Sequence, residues 1–493
     1  MTIHNLRDNR HLCWDDMLIE KQENTEIRMH KPEKKNIAFH AEKSWDGMNN
    51  GYASIQKCGN EYRFYYRADS SVLNADGKYQ RSVAPMFCMA TSKDAITFKR
   101  PKLGLYDING TENNVIHFEN KYVDNFSIFY DENPACPPDE KFKALKLAPV
   151  NDEAKLLLHT SPDGIHFTKE GRILDLHGDF DSYNVMLWDK ETEQYFVFYR
   201  GVHPPKYSEY KNKAKDIYKM DGDADEIRDI RVATSKDFIH FEEHGQINFI
   251  DDTIEEDIQY YTNQIIKYPR AKDMFLAMPT RYIDRRADVE NYKDMPLWGH
   301  RNVWIENYGR EGLAITDSIL MTSRDGFNFN RTDEAFFTPG PESDASWWYG
   351  DCFWAYGMEE TESDIPGAPN ELSLYVGEGY HVQPVNFRRY TMRLDGFFSW
   401  YAKYKGGEIL TKPFTFEGNE LEINFSTAAY GGMKITLCDE AGSELEGYKS
   451  IFLFGDSVDR KVKFEKPLSA LKGKAVRMKI ELRDAHLYSF KFN

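Results

Sequence analysis

A chain of 493 residues with 41% apolar and 14% aromatic side chains has material for more than one hydrophobic core, which excludes a small single module and a disordered chain. Its 80 acidic and 63 basic residues leave a formal charge of −17, a field that repels phosphate backbones and anionic lipid, so neither nucleic acid nor a membrane surface is an expected partner. No apolar run approaches the about 18 residues of a membrane helix, and Cys13, Cys58, Cys88, Cys136, Cys352 and Cys438 stand singly, as reduced thiols rather than a disulfide framework or a zinc ribbon.

Residues 1–35 read as an N-terminal extension with at most one short helix. Met1–Asp8 has no apolar core, so the chain as given lacks a secretion leader and is expected in the cytoplasm. From residue 36 a repeat sets in. Thr91-Ser92-Lys93-Asp94-Ala95-Ile96-Thr97-Phe98 recurs as Thr160-Ser161-Pro162-Asp163-Gly164-Ile165-His166-Phe167, as Thr234-Ser235-Lys236-Asp237-Phe238-Ile239-His240-Phe241 and as Thr322-Ser323-Arg324-Asp325-Gly326-Phe327-Asn328-Phe329. A weaker fifth copy is Met392-Arg393-Leu394-Asp395-Gly396-Phe397-Phe398. The copies lie roughly seventy to ninety residues apart, a repeating unit of the kind that fixes an architecture. Each predicts a strand, a tight turn and a short aromatic strand, and upstream runs such as Glu61–Arg67 and Gln194–Arg200 supply further strands, about four per unit. Five such units predict an all-β, five-bladed β-propeller over residues 36–402, with aromatic faces buried between neighbouring blades. Lys206–Glu226 reads as a charged loop. Residues 403–493, with alternating runs at Glu420–Phe425, Met433–Leu437 and Val476–Leu482, predict a separate C-terminal β-sandwich.

In a propeller the innermost strands converge on one axial funnel, so polar side chains at their starts are the candidates for chemistry. Those starts hold Asp46, Asp124, Asp181, Asp257 and Asp351, and Glu378 stands farther along the fifth unit. Each has a plainer reading as a turn or strand-entry residue. No His-Glu-x-x-His, Gly-x-Ser-x-Gly or phosphate-cradling loop occurs, and His40, His117, His203 and His300 are isolated, so no metal or nucleotide cofactor is required.

Five units, axial aspartates, Ser-x-Asp-Gly-type hairpins and a C-terminal β-sandwich resemble the five-bladed propeller glycoside hydrolases, the invertase and fructanase type and the related arabinanase type. The invertase-type Asn-Asp-Pro-Asn, Arg-Asp-Pro and Glu-Cys motifs are absent. The resemblance implies an exo-acting glycosidase for a terminal, furanose-type sugar of an oligosaccharide. By position it gives Asp46 as nucleophile or base, Asp124 as transition-state stabiliser and Asp181 as acid; on the residues alone, Asp257, Asp351 and Glu378 are rival acids. Trp45, Tyr260 and Trp348 would stack on sugar faces, and Asn125, Asn184, Asn263, Arg281 and Asp351 would hold hydroxyls. An axial calcium or sodium ion occurs in some relatives, and no motif here encodes it. Two other readings remain open: a non-catalytic sugar-binding propeller, and a glycoside phosphorylase with Arg281, Arg285 and Arg286 as its phosphate site.

Overall fold

The structure, a computed structural model, describes residues 3–69, 71–74, 78–81, 84–108, 110–118, 125–151, 153–206, 226–250, 257–285 and 289–493. Asp124, Arg286 and all but the ends of the Lys206–Glu226 segment lie outside these residues.

The fold is all-β, a five-bladed propeller followed by a C-terminal β-domain. Three sheets of four antiparallel strands follow one another in chain order. The first runs Gly51–Cys58, Glu61–Ala68, Met86–Ser92, Val115–Phe118, the second begins at Phe126–Tyr130 and the third at Val185–Asp189. The fourth splits: Ile266–Lys267, Phe275–Ala277, Met321–Ser323 and Asn328–Arg331 form one part, while Gln259–Tyr260, Thr280–Asp284 and Ala314–Ser318 form the other and carry a helical insertion. In the fifth, Glu359–Thr361, Glu371–Glu378 and Asn386–Arg393 are completed by Glu33–His40 from near the N-terminus. That pairing closes the ring with a strand distant in sequence, which becomes the outer strand of the fifth sheet.

The inner strands hold one another in a circle. Gln56 Nε2 donates to the Ile128 carbonyl at 3.3 Å, Ser127 Oγ to that of Asn184, and Ser182 Oγ to that of Tyr261 at 2.6 Å. Thr280 Oγ1 donates to the Cys352 carbonyl at 3.2 Å, and Ser54 bridges Tyr356 to complete the circuit.

The repeated motif fastens each sheet to the one before it. In all four full copies the aspartate accepts the backbone N–H groups two and three residues on from itself, and the serine hydroxyl accepts those of the aspartate and of the residue after it. This local ring forces a left-handed residue after the aspartate: Ala95 at φ 59°, Gly164 at 70°, Phe238 at 58° and Gly326 at 81°. The turns then dock outward. Tyr375 of the fifth sheet donates to the Ala95 carbonyl, Tyr65 of the first to that of Gly164 at 3.2 Å, and Arg172 of the second to that of Phe238 at 3.0 Å. Gly326 sits so close to Phe196 of the third sheet that a Cβ there would lie 2.9 Å from the ring.

Replacing Asp163 by alanine removes the acceptor of the Ile165 and His166 amides, both at 2.9 Å, and is expected to cost about 1 kcal/mol, as loss of a helix cap does. Partial burial raises the Asp163 carboxyl, but the His166 and Ile165 donors outweigh it and hold it well below the usual carboxylate range. Its contribution is therefore present above about pH 4 and fades as the pH falls toward the folded value, so the gap between wild type and variant in urea melts should narrow in acid.

The N-terminal segment is not a free extension, and its described residues form strands rather than a helix. His4–Arg7 pairs in parallel with Phe414–Phe416. His11–Leu12, Ile19–Glu23 and Thr25–Met29 join a nine-stranded network with the C-terminal strands. Phe398–Ala402, read from the sequence as the end of the propeller, also belongs to it. Two long strands, Leu421–Cys438 and Arg477–Phe492, run through the whole network, with a register break between Thr427 and Gly432. A second core of Leu421, Ile435, Ile480, Trp400 and Leu18 fills it, distinct from that of the propeller. The six cysteines are free thiols, and among the described residues no helix is long and apolar enough to cross a membrane.

Candidate active site

One end of the propeller axis is filled by rings from four sheets. Tyr52, at the start of the first inner strand, stacks on Tyr183 of the third sheet at 5.6 Å and on Phe353, which leads into the fifth, at 6.3 Å. Phe353 stacks in turn on Tyr261 of the fourth at 5.7 Å. Such packing buries apolar area and leaves the ring faces to receive cations. Arg67 lies over Tyr52 at 4.9 Å, Arg200 over Tyr261 at 5.5 Å, and Arg228 over Tyr282 at 5.0 Å. All three are buried arginines from second or third strands.

Two carboxylates rise from this floor. Asp179 and Asp181 each lie against Arg200 Nη2, at 3.2 and 3.3 Å, and the Asp181 side chain remains 48% exposed, open to solvent while paired with a buried arginine. Their loop is tightly braced. Asn125 Nδ2 and Asn184 Nδ2 both donate to the Phe180 carbonyl, at 3.2 and 2.9 Å, the Asn184 amide oxygen accepts the Arg200 N–H, and Arg200 Nε donates to the Asp179 carbonyl at 3.1 Å. Asn125 and Asn184, both buried, thus spend their side-chain amides on backbone groups in and around the Asp181 loop.

The opposite wall comes from the fourth and fifth sheets. Tyr349 donates to the Tyr261 hydroxyl at 2.5 Å, and Arg67 donates to the Tyr380 hydroxyl at 2.8 Å. The insertion of the fourth sheet contributes the helix Trp298–Tyr308, which packs Trp304 against His381 at 3.7 Å between ring centroids and carries Arg301 over Trp348 at 4.1 Å. The short helix Arg310–Leu313 brings Glu311 within 3.7 Å of His381. Burial, then His300 and the arginines Arg67 and Arg301, hold His381 well below the ordinary histidine range.

The remaining sequence candidates lie elsewhere. Asp46 is fully buried, with Oδ2 on Arg100 at 2.5 Å and on the Lys43 N–H at 2.8 Å, and Oδ1 accepting from Tyr66 at 2.9 Å. Burial pushes its carboxyl up against the pull of Arg100. All its accepting positions face protein, so it is a structural carboxylate behind the first inner strand, not a funnel residue. Trp45 donates to Asn114, Tyr260 accepts from Arg331, and Asn263 is spent on the Ile265 amide. Trp348 is buried beneath Arg301. Arg281 forms a two-pronged pair with Asp317, at 2.7 and 2.6 Å. Asp257 accepts the Lys206 amide.

Asp351 and Glu378 do come together, but off the axis. Both line a cleft of about 820 Å³ between the fourth and fifth sheets, with Lys34, Tyr390, Gln383 and Phe337. Glu378 is held there by Arg388 at 2.8 Å and Lys34 at 3.0 Å. Asp351 closes a turn by accepting the Trp348 N–H at 2.8 Å, and burial pushes its carboxyl up to about 7 despite that donor and Arg301. The folded protein thus keeps a proton that the unfolded chain releases near pH 4, so Asp351 makes the fold less stable as the pH climbs from about 4 to about 7. Asp351→Asn keeps the acceptor without the titration. Relative to wild type it should gain about 2–4 kcal/mol between pH 5 and pH 8, read from urea midpoints at the two pH values.

Among the described residues no group of three or more His, Cys, Asp or Glu side chains is placed to hold a metal ion. The signal for the mouth arginines was present in the repeat itself, since Arg67 and Arg200 occupy the same place, after a Tyr, near the ends of two equivalent second strands.

No family model matches this chain, and no curated protein matches it. Solved structures similar to it include an N-acetylgalactosamine deacetylase from F. plautii in complex with blood group B trisaccharide, with 11% identity, 74% of this chain and 94% of that chain covered, and a TM-score of 0.41. Another represents a family of mannoside phosphorylases that contains glycoside hydrolases targeting β-1,2 mannosidic linkages in Candida mannan, with 14% identity, 73% and 94% coverage and a TM-score of 0.42. A third is a glycosyl hydrolase from Bacteroides ovatus, with 14% identity, 80% and 100% coverage and a TM-score of 0.39.

Proposed function

We propose that the chain is an exo-acting glycosidase that works at the axial mouth, with Asp181 as one of its two working carboxyl groups. The observation that carries this reading is the half-exposed Asp181 carboxylate, fixed by buried Arg200 on a loop that Asn125 and Asn184 brace. Glycoside cleavage needs one carboxyl group near the anomeric carbon and another at the leaving oxygen. Asp124, the carboxylate that the resemblance gives for the second unit, is the proposed partner. Asp46 has no part in this version, being sealed behind the inner strand. Tyr349, Tyr380 and the helical insertion wall off the far side of the mouth, which favours a terminal sugar over the interior of a polymer. Furanosides are the first class to test.

A second reading has its own observation. Arg200 Nη1 is buried and has no hydrogen-bond partner among the described residues, so the mouth holds a guanidinium donor suited to an oxyanion. A glycoside phosphorylase would use such a donor for phosphate. The experiment measures sugar release from 4-nitrophenyl furanosides and pyranosides and from fructo-oligosaccharides, with and without inorganic phosphate. Phosphate-independent release that Asp181→Asn and Asp124→Asn abolish supports the glycosidase. Release only with phosphate favours the phosphorylase. Binding of a sugar with no release under either condition overturns both and makes the propeller a lectin.

A further inference from the structure

The C-terminal domain carries a second set of groups suited to sugar, far in sequence from the mouth. Strands Gly407–Thr411, Arg477–Phe492 and Leu421–Cys438 lie side by side, with Glu408, Glu481 and Lys434 in register across them. Their neighbours Ile409, Ile480 and Ile435 are buried in the domain core, so the charged row faces outward. Beside that row the sheet surface is almost bare backbone, because Gly406 and Gly432, the latter paired with Arg483, supply no side chains. The result is a trough of about 350 Å³, lined by these glycines, the charged row, Phe452 and Arg483.

Flat rings line it or adjoin it through Arg483. Arg483 lies over Tyr404 at 4.4 Å and over Tyr430 at 4.9 Å, and Tyr404 and Tyr430 are 55% and 70% exposed. Phe452, 46% exposed, lines the trough and rests on Gly432, where a Cβ would lie within 2.2 Å of its ring. Large aromatic side chains this exposed mark a binding surface when they gather at one place. The polar groups between them are underused. Glu481 Oε2 and Arg483 Nε are shielded from solvent, and neither has a hydrogen-bond partner among the described residues. A buried polar atom without a partner is costly, and a ligand hydroxyl would satisfy both an acceptor and a donor here.

We propose that this trough is an accessory binding site for a neutral oligosaccharide segment, with Tyr430 and Phe452 packing against sugar C–H faces and Glu481 and Arg483 meeting hydroxyls. Charge chooses the ligand class. Glu481 and Glu408 are matched by Lys434 and Arg483, and Lys479 beside the trough is shared between Glu408 and Glu444, both at 3.3 Å, so no excess of either sign draws an ion. Apolar rings with balanced donors and acceptors fit an uncharged carbohydrate.

The test is electrophoresis of the intact chain through gels containing levan, inulin, linear arabinan, xylan, yeast mannan or β-glucan, beside the Tyr430→Ala/Phe452→Ala double variant and Asp181→Asn. Both removed rings are solvent-exposed, and equal melting temperatures confirm folding. Retardation of the wild type by at least one polysaccharide is expected, with an affinity at least tenfold weaker in the double variant and unchanged in Asp181→Asn. That last arm separates this site from the mouth, so the proposal stands or falls independently of the catalytic reading. No retardation by any of the six, or equal retardation of the double variant, overturns it. So does a wild-type dimer in light scattering that the double variant converts to monomer, since the rings would then cover a second copy.

Discussion

Asp395→Asn is expected to destabilise the protein by about 3–5 kcal/mol, the cost of breaking a buried ion pair from one side. The carboxylate is fully buried and joins three bodies. Oδ1 takes Arg270 Nε at 2.8 Å and the Tyr268 hydroxyl at 3.0 Å, both from the fourth sheet. Oδ2 takes Ser489 Oγ at 2.7 Å and Asn424 Nδ2 at 3.3 Å from the C-terminal domain, and lies 3.3 Å from Arg10 of the N-terminal segment. Every partner is a donor, so an asparagine must turn an N–H toward one set of them and leave Arg270 and Arg10 with only their more exposed partners, Glu360 and Glu422. Burial raises this carboxyl, but Arg270 and Arg10 outweigh it and hold it below the usual range. The stabilisation is therefore present above about pH 4 and lost as the pH falls through the folded value. Denaturant unfolding at pH 7 should show the drop, with the C-terminal domain separating from the propeller in a distinct first step. A loss under about 1 kcal/mol would show that the clamp lies elsewhere.

Asp181→Asn is expected to lower kcat/KM by a factor of about 10³ or more on whichever glycoside the wild type cleaves, within the range that general acid–base groups supply. Stability should hardly change, because the side chain is half-exposed and makes a single ion pair, worth at most about 1 kcal/mol. Asp179→Asn is the informative comparison. It contacts the same Arg200 nitrogen with similar exposure, so loss of that ion pair alone would affect both variants alike. A loss at Asp179 as large as that at Asp181 would assign the effect to Arg200 and the loop rather than to a reacting carboxyl group. A fall in kcat with KM nearly constant at Asp181 alone supports a role in the transition state.

The five repeats were legible because their signal is local. In Ser161–His166 the serine and aspartate bond to amides no more than three residues away, so the residues that make the turn are printed side by side. The fifth copy was recognised as weaker, and the structure supplies the reason: Asp395 sits at the left-handed position itself, φ 59°, and uses its carboxylate on distant partners instead of its own turn. The N-terminal segment was misread as an extension and the closing strand Glu33–His40 was not identified, because their partners, around residues 386–416 and 477–492, lie at the other end of the chain.

The sequence by itself determined the all-β class, the number of sheets and the position of each fastening turn, since alternation and short-range hydrogen bonding are properties of neighbouring residues. Only the tertiary structure decided which carboxylates are available for chemistry. Asp46 and Asp181 look alike in the chain, each an aspartate among aromatic and small residues before an inner strand. Arg100 and Tyr66, brought from 54 and 20 residues away, enclose the first. Arg200 supports the second from beneath and leaves its outer face open. Burial and ion pairing depend on which side chains the fold brings together, and no spacing along the chain encodes that.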